Sequence, residues 1–134
     1  MKKKIIGFYP MVADILHAGH IVALKEAKDH CDYLIVGLHC CPNYKKPLQT
    51  IFERYMQLKA CKYVDEVIPY TDINDARTMI LALNYDIYFC GEDHKGVDFE
   101  NKQVLVDLDK EIYYLSRKHH LSSTDLKNRI KEEY

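Results

Sequence analysis

His17 and His20 stand three apart in MVADILHAGHIVALKEAK (11–28), with Gly19 between them, where an apolar run gives way to an amphipathic one. Histidine is a middling helix former and glycine a poor one, so local propensity does not ask for this sequence. Residues three apart share one side of a helical turn, and a glycine lets the backbone come close to a bulky group. A helix N-terminus adds N–H groups and partial positive charge. Together these suit phosphate. The same four residues also fit a cap plus a core histidine, or two zinc ligands, although no third ligand stands at a suitable spacing.

A second set of candidates lies near the other end, in SRKHHLSSTDLKNRI (116–130). Arg117 is suited to bidentate phosphate contact, and Ser122, Ser123 and Thr124 supply hydroxyls where a helix begins. Hydroxyls at a helix start are commonly caps and nothing more. An arginine ahead of three of them describes a second anion cradle, and two cradles could hold the two ends of a triphosphate. Arg77, in NDARTMI, could meet an incoming phosphate or simply face solvent.

The elements that must position these residues follow from periodicity. Strand-length apolar runs fall at 4–9, 33–39, 66–70, 86–90 and 111–116, and amphipathic helical stretches at 19–29, 51–62, 74–84 and 123–132, with a shorter helix within 98–107. Asp72 or Asn74 would cap the third long helix, and the run of hydroxyls the last. Alternation of this kind predicts one α/β domain over 1–134, doubly wound and Rossmann-like. Its parallel five-stranded sheet would carry helices on both faces. Ligands of such folds settle beyond the carboxyl ends of the strands, where the strand order reverses.

Apolar residues make up 48% and charged residues 29%, and the net charge is -1. That balance gives a nucleic-acid partner no support, so phosphate binding must be local. No apolar run approaches the roughly 20 residues of a membrane span. MKKKIIGFYPMV is short for a secretory signal and lacks a small-residue cleavage site, so it reads as a first buried strand. Five cysteines without CxxC spacing read as reduced thiols, and the expected location is the cytoplasm.

DILHAGH, with its HxGH, and RKHHLSSTDL resemble the opening and closing motifs of the cytidylyltransferase group of HxGH nucleotidylyltransferases. YLIVGLH, ERYMQLKACKYVDEVIP and DIYFCGEDHKG resemble, in order, segments that lie between those motifs in the family. The likeness runs over nearly the whole chain, and its length and GEDHKG point to the branch that acts on glycerol-3-phosphate. The resemblance implies transfer of CMP from CTP to a phosphorylated alcohol, with Mg2+ held mainly by the triphosphate, release of pyrophosphate, and a homodimer.

It further implies that His17 and His20 stabilise charge at the α-phosphate, with Lys45 or Lys46 reaching phosphate from a loop and Arg117 completing the catalytic set. Met11, Val12, Gly19, Lys62, Glu92, Asp93, Leu121, Ser122, Ser123 and Thr124 would line the nucleotide. Asp14, Lys46 and Arg77 would face the acceptor. The chain departs from the family at Val12, where a threonine is usual, at Lys62 in place of arginine, in a shorter loop before Lys45, and at His94 in place of tryptophan. Ethanolamine phosphate or choline phosphate as acceptor, adenylyl transfer on the same fold, and a silent nucleotide-binding protein are the alternatives.

Overall fold

In the computed structural model the described residues are 3–99, 101–116 and 121–133. They form β1 (Ile6–Met11), α1 (Ala18–Asp29), β2 (Tyr33–His39), α2 (Ile51–Lys59), β3 (Glu66–Tyr70), α3 (Ile73–Leu83), β4 (Ile87–Gly91), α4 (Lys102–Asp107), β5 (Glu111–Leu115) and α5 (Ser123–Glu133). A 3-10 turn over Glu92–His94 follows β4. All strands are parallel, in the order β3-β2-β1-β4-β5. The order reverses at β1, which places the switch point between β1 and β4.

Side chains alternate across the sheet and give it two cores. Leu34, Val36 and Leu38 pack with Leu24 and Ala27 of α1 and Leu58 of α2, whereas Phe8 and Ile35 pack with Ile80 of α3 and Leu105 of α4. Each face is thus covered by helices, as strands that are apolar throughout require. Register is fixed at the opposite edge from the switch point. Asp32, Asp65 and Asp86, each preceding a strand, accept from the N–H groups of Ile5, Leu34 and Ile6 on neighbouring segments. Burial alone would raise the Asp65 carboxyl, but Lys28 and the Leu34 amide, with Lys4 beyond them, together outweigh it and keep that carboxyl below its ordinary range.

The first strand begins later than the apolar run and continues to Met11. Pro10 lies inside it, opposite Gly37. Proline has no N–H for a ladder, and the β1–β4 pairing stops at Phe8 and Tyr88. β1 and β4 therefore part from each other at their carboxyl ends, while each stays paired to its outer neighbour, and a ligand of this architecture would enter there. The second helix ends at Lys59 rather than 62, because Ala60 closes it and Cys61 to Val64 make a turn.

Candidate active site

The β1–β4 opening is one wall of a cleft of about 400 Å³. Met11, Val12, His17, Gly19, His20 and Lys45 line it from one side, and Leu121, Ser122, Ser123 and Thr124 from the other. The two phosphate-suited motifs, about a hundred residues apart in sequence, share this space. His17 Nε2 lies 3.1 Å from Ser123 Oγ, whose hydroxyl also reaches the Asp14 carbonyl at 3.4 Å. Arg117, named from the sequence, falls outside the described residues.

His17 is the N-cap of α1, so the cap reading and the cleft reading both hold for it. Its Nδ1 accepts from the Gly19 amide at 3.0 Å, and its own amide donates to His20 Nδ1 at 3.1 Å. The rings stand 4.2 Å apart between centroids. These bonds assign both tautomers: with each Nδ1 accepting, the proton of each neutral imidazole sits on Nε2. Two N–H donors are thereby held on one helical turn, beside the positive end of the α1 dipole.

Gly19 serves packing as well as approach. A Cβ there would lie 2.7 Å from His17 Cε1 and 3.0 Å from both Cβ and the carbonyl oxygen of Leu121. The glycine thus lets α1 meet the closing motif while the cap forms. Gly19→Ala should leave the fold intact and lower turnover by up to about 10²-fold, because catalytic groups moved by about an ångström lose that much. Steady-state kinetics beside a thermal melt would check it; an unchanged rate with a native melt would show that the contact with Leu121 has no part in placing His17.

Asp14 is 3% exposed. Its carboxylate accepts from Leu48 N and Gln49 N, both at 3.0 Å. Burial alone would raise this carboxyl, but those two amides, with Lys127 and Lys45 beyond them, outweigh it and hold the group below its ordinary range. Gln49 Oε1 in turn accepts from Ile15 N at 2.7 Å. Asp14 therefore anchors the loop that carries Lys45. Its placement fits that support better than the acceptor contact expected from the sequence.

The remaining sequence candidates are dispersed. Glu92 and Asp93 are exposed on the 3-10 turn, between the lining residues Gly91 and His94. Lys46 is exposed beside Lys45 but lines neither cavity, and Arg77 is exposed on α3 and lines neither. Lys62 follows α2 on the approach to β3, at the amino end of the strands, with its Nζ 5.2 Å from the Tyr63 ring centroid. Neither cavity includes it.

Three features lay beyond the sequence reading. Arg54, only 2% exposed, donates to the carbonyls of Val12 (3.0 Å), His39 (2.7 Å), Cys40 (2.7 Å) and Gln49 (3.2 Å). Its signal was present, since Arg54 interrupts an apolar stripe of Ile51, Tyr55 and Leu58. Glu26 of α1 accepts from Ser116 N at 3.3 Å, fixing the strand end that leads into 117–120. The third is a second cavity, of about 550 Å³, beyond the ends of β1, β2 and β3.

That second cavity is aromatic. His39 and Tyr70 stack at 4.8 Å, and Tyr44, Tyr88 and Phe99 add further rings. Burial, with Tyr44 nearby, pushes the Tyr70 hydroxyl up to about 12, so it stays a neutral donor. Pro10, Met11, Val12, Tyr88, His94 and Phe99 line both cavities, which therefore meet across the end of β1. His94, the departure from tryptophan, stands on that shared wall with its ring 5.7 Å from Phe99.

A sequence model described as cytidylyltransferase-like matches residues 8–129. The chain is 33% identical over 133 residues to a glycerol-3-phosphate cytidylyltransferase of Bacillus subtilis, covering 96% of this chain and 97% of that protein. It is 30% identical to an ethanolamine-phosphate cytidylyltransferase of Dictyostelium discoideum, covering 96% of this chain but 37% of that longer protein. Among solved structures it is similar to a lipopolysaccharide core biosynthesis protein of Thermoplasma volcanium. The TM-score there is 0.70 at 27% identity, over 85% of this chain and 96% of that one.

Proposed function

Because the chain belongs to the cytidylyltransferase-like family, we propose that it transfers CMP from CTP to a small phosphorylated alcohol, glycerol-3-phosphate first among them, releasing pyrophosphate. The observation that carries this reading is the meeting of the two cavities at Met11 and Val12. The first, with its imidazoles and hydroxyls, suits a triphosphate, and the second suits the acceptor. The relatives named for glycerol-3-phosphate and ethanolamine-phosphate cytidylyl transfer support the nucleotide and the acceptor class. CDP-glycerol would be the product with the first of these acceptors.

The chemistry needs little from the protein beyond position and charge. An acceptor phosphate is ionised at neutral pH, its second pKa being about 6, so no strong base is needed to make the nucleophile. Its oxygen attacks the α-phosphorus in line with the departing pyrophosphate, and two anions must be brought together. The Nε2–H groups of His17 and His20 would donate to oxygens on the reacting phosphate. Ser122, Ser123 and Thr124 would hold the outer phosphates, and Lys45 would reach in from its loop.

Mg2+ enters this reading as the companion of the triphosphate, where it would neutralise charge on the phosphate oxygens. The buried carboxylate beside the cleft, Asp14, has both oxygens engaged by backbone amides, which fits a cation delivered with the nucleotide. A homodimer in a reducing cytoplasm completes the proposal; the five cysteines are all free thiols. Among the described residues no helix is long and apolar enough to cross a membrane.

One observation favours a second acceptor. The rings of the second cavity could hold an ammonium group by cation–π attraction, worth about 0.5–2 kcal/mol, so ethanolamine phosphate or choline phosphate follows glycerol-3-phosphate in the ranking. A pyrophosphate-release assay should give turnover with CTP and one of these acceptors, and little with ATP. Turnover with ATP alone, or with none of the three acceptors, would overturn the reading.

A further inference from the structure

Cys40 and Cys41 lie where β2 ends and the loop to Lys45 begins, and the transfer reaction assigns them no step. Their Sγ atoms are 3.0 Å apart, with the Cys41 thiol donating to Cys40. The backbone beneath them is pinned: Cys40 N donates to the Tyr70 carbonyl at 2.8 Å, and the Cys40 carbonyl accepts from Arg54 at 2.7 Å. Cys41 is exposed and lines the second cavity. The shared hydrogen bond, followed by partial burial, raises the Cys40 thiol above its ordinary range. Cys40 therefore rests as a thiol rather than as a nucleophilic thiolate.

We propose that Cys40 and Cys41 form a capture site for a soft thiophilic centre of the organoarsenic(III) class, and that capture stalls transfer by closing the acceptor cavity. Sulfur ligands select soft centres. Once one thiol has reacted, its neighbour is held within reach and the second bond forms intramolecularly. An arsenoxide R–As=O and the two thiols give R–As(S)2 and water. Two As–S bonds form, the arsenic–oxygen bond breaks, and both thiol protons leave with the oxygen. Arsenic stays trivalent, so no oxidant or reductant takes part. The resulting ring spans the Cys40–Cys41 peptide, and its organic substituent sits at the mouth of the second cavity.

Capture stands on the thiol geometry alone, while stalling rests on the reading of the second cavity as the acceptor site. Phenylarsine oxide added to the intact protein should bind as one equivalent, seen as a single phenylarsenic adduct by mass. It should protect two of the five cysteines from alkylation, and peptide mapping should identify them as Cys40 and Cys41. Dimercaptopropanol should release the adduct, and a monothiol at equal thiol concentration should not. Pyrophosphate release should be lost while CTP still binds by calorimetry. Cys40→Ser and Cys41→Ser should each lose the chelate, and each variant's rate, measured against its own untreated rate, should become insensitive to the probe. Retained capture in both serine variants, or protection mapping to other cysteines, overturns the site. Capture with transfer undiminished overturns the stalling. Absence of transfer with every acceptor in untreated protein would instead overturn the functional reading, and capture, read by mass, would still be decided.

Discussion

His17→Ala and His20→Ala are each expected to lower turnover by about 10²- to 10³-fold, the effect of removing one preorganised donor to developing charge. The two rings do not have equal structural duties, and that difference allows a sharper experiment. His17 caps α1 through Nδ1 and presents Nε2 beside Ser123. Alanine removes both functions, and loss of the cap alone should cost about 0.5–2 kcal/mol of stability. His17→Asn keeps an oxygen for the Gly19 amide but has no counterpart to Nε2–H. It should recover the melting temperature lost in His17→Ala without recovering turnover. Because the rings share one backbone amide network, the double variant should lose less than the product of the single losses. Wild-type turnover in His17→Asn would remove that imidazole from the chemistry.

The tautomer argument gives the pair its particular character. A proton on Nδ1 of either ring would face an amide that already donates there, so the capping box and the imidazolium form compete for the same nitrogen. In the neutral form each ring thus presents Nε2–H as its donor, suited to stabilising phosphate charge. The helix cap that the sequence offered as one reading is present, and the same side chain lines the cleft where the proposed phosphate contact would be made. The cap is what aims the donor.

What could be read from the chain depended on the range of the interaction. YLIVGLH is a buried strand in any context, and Asp72 caps α3 through amides two and three residues on, so both were legible. HAGH and the Ser–Ser–Thr run could be paired as chemical complements, although only the fold sets His17 beside Ser123. The loop contacts of Asp14 were not legible because the amides it holds, those of Leu48 and Gln49, lie 34 and 35 residues away. Lys62 was placed by resemblance, and the turn after α2 sets it ahead of β3, where it lines neither cavity. The aromatic cavity was invisible for a similar reason. His39 and Tyr70 belong to separate strands and become neighbours only through the register that pairs them.

Arg54 showed itself in the sequence only as a break in an apolar stripe, with its partners out of sight, and its replacement is expected to have the largest effect on stability. The guanidinium gathers four carbonyl oxygens, from the end of β1, the end of β2 and the loop before α2. Among the described residues its partners are carbonyls rather than carboxylates, so its geometry, and not simply its charge, is what the site uses. Arg54→Ala leaves those acceptors buried and unpaired beside a void. At about 1–3 kcal/mol for each acceptor that finds no water, a loss of several kcal/mol is expected, a large part of the roughly 5–15 kcal/mol that holds a typical domain together. Arg54→Lys is the more informative change, because an ammonium keeps the charge but cannot span acceptors on three segments at once. Val12 lines both cavities and His39 the second, so the lysine variant should fold, melt at a lower temperature and, on the proposed reading of those cavities, show a raised KM for both substrates with a reduced kcat. Urea unfolding and two-substrate kinetics would measure this. If the lysine variant matched the native protein in both, the convergence of these strand ends would have to be held by the sheet alone, and the guanidinium would be a passenger in the core.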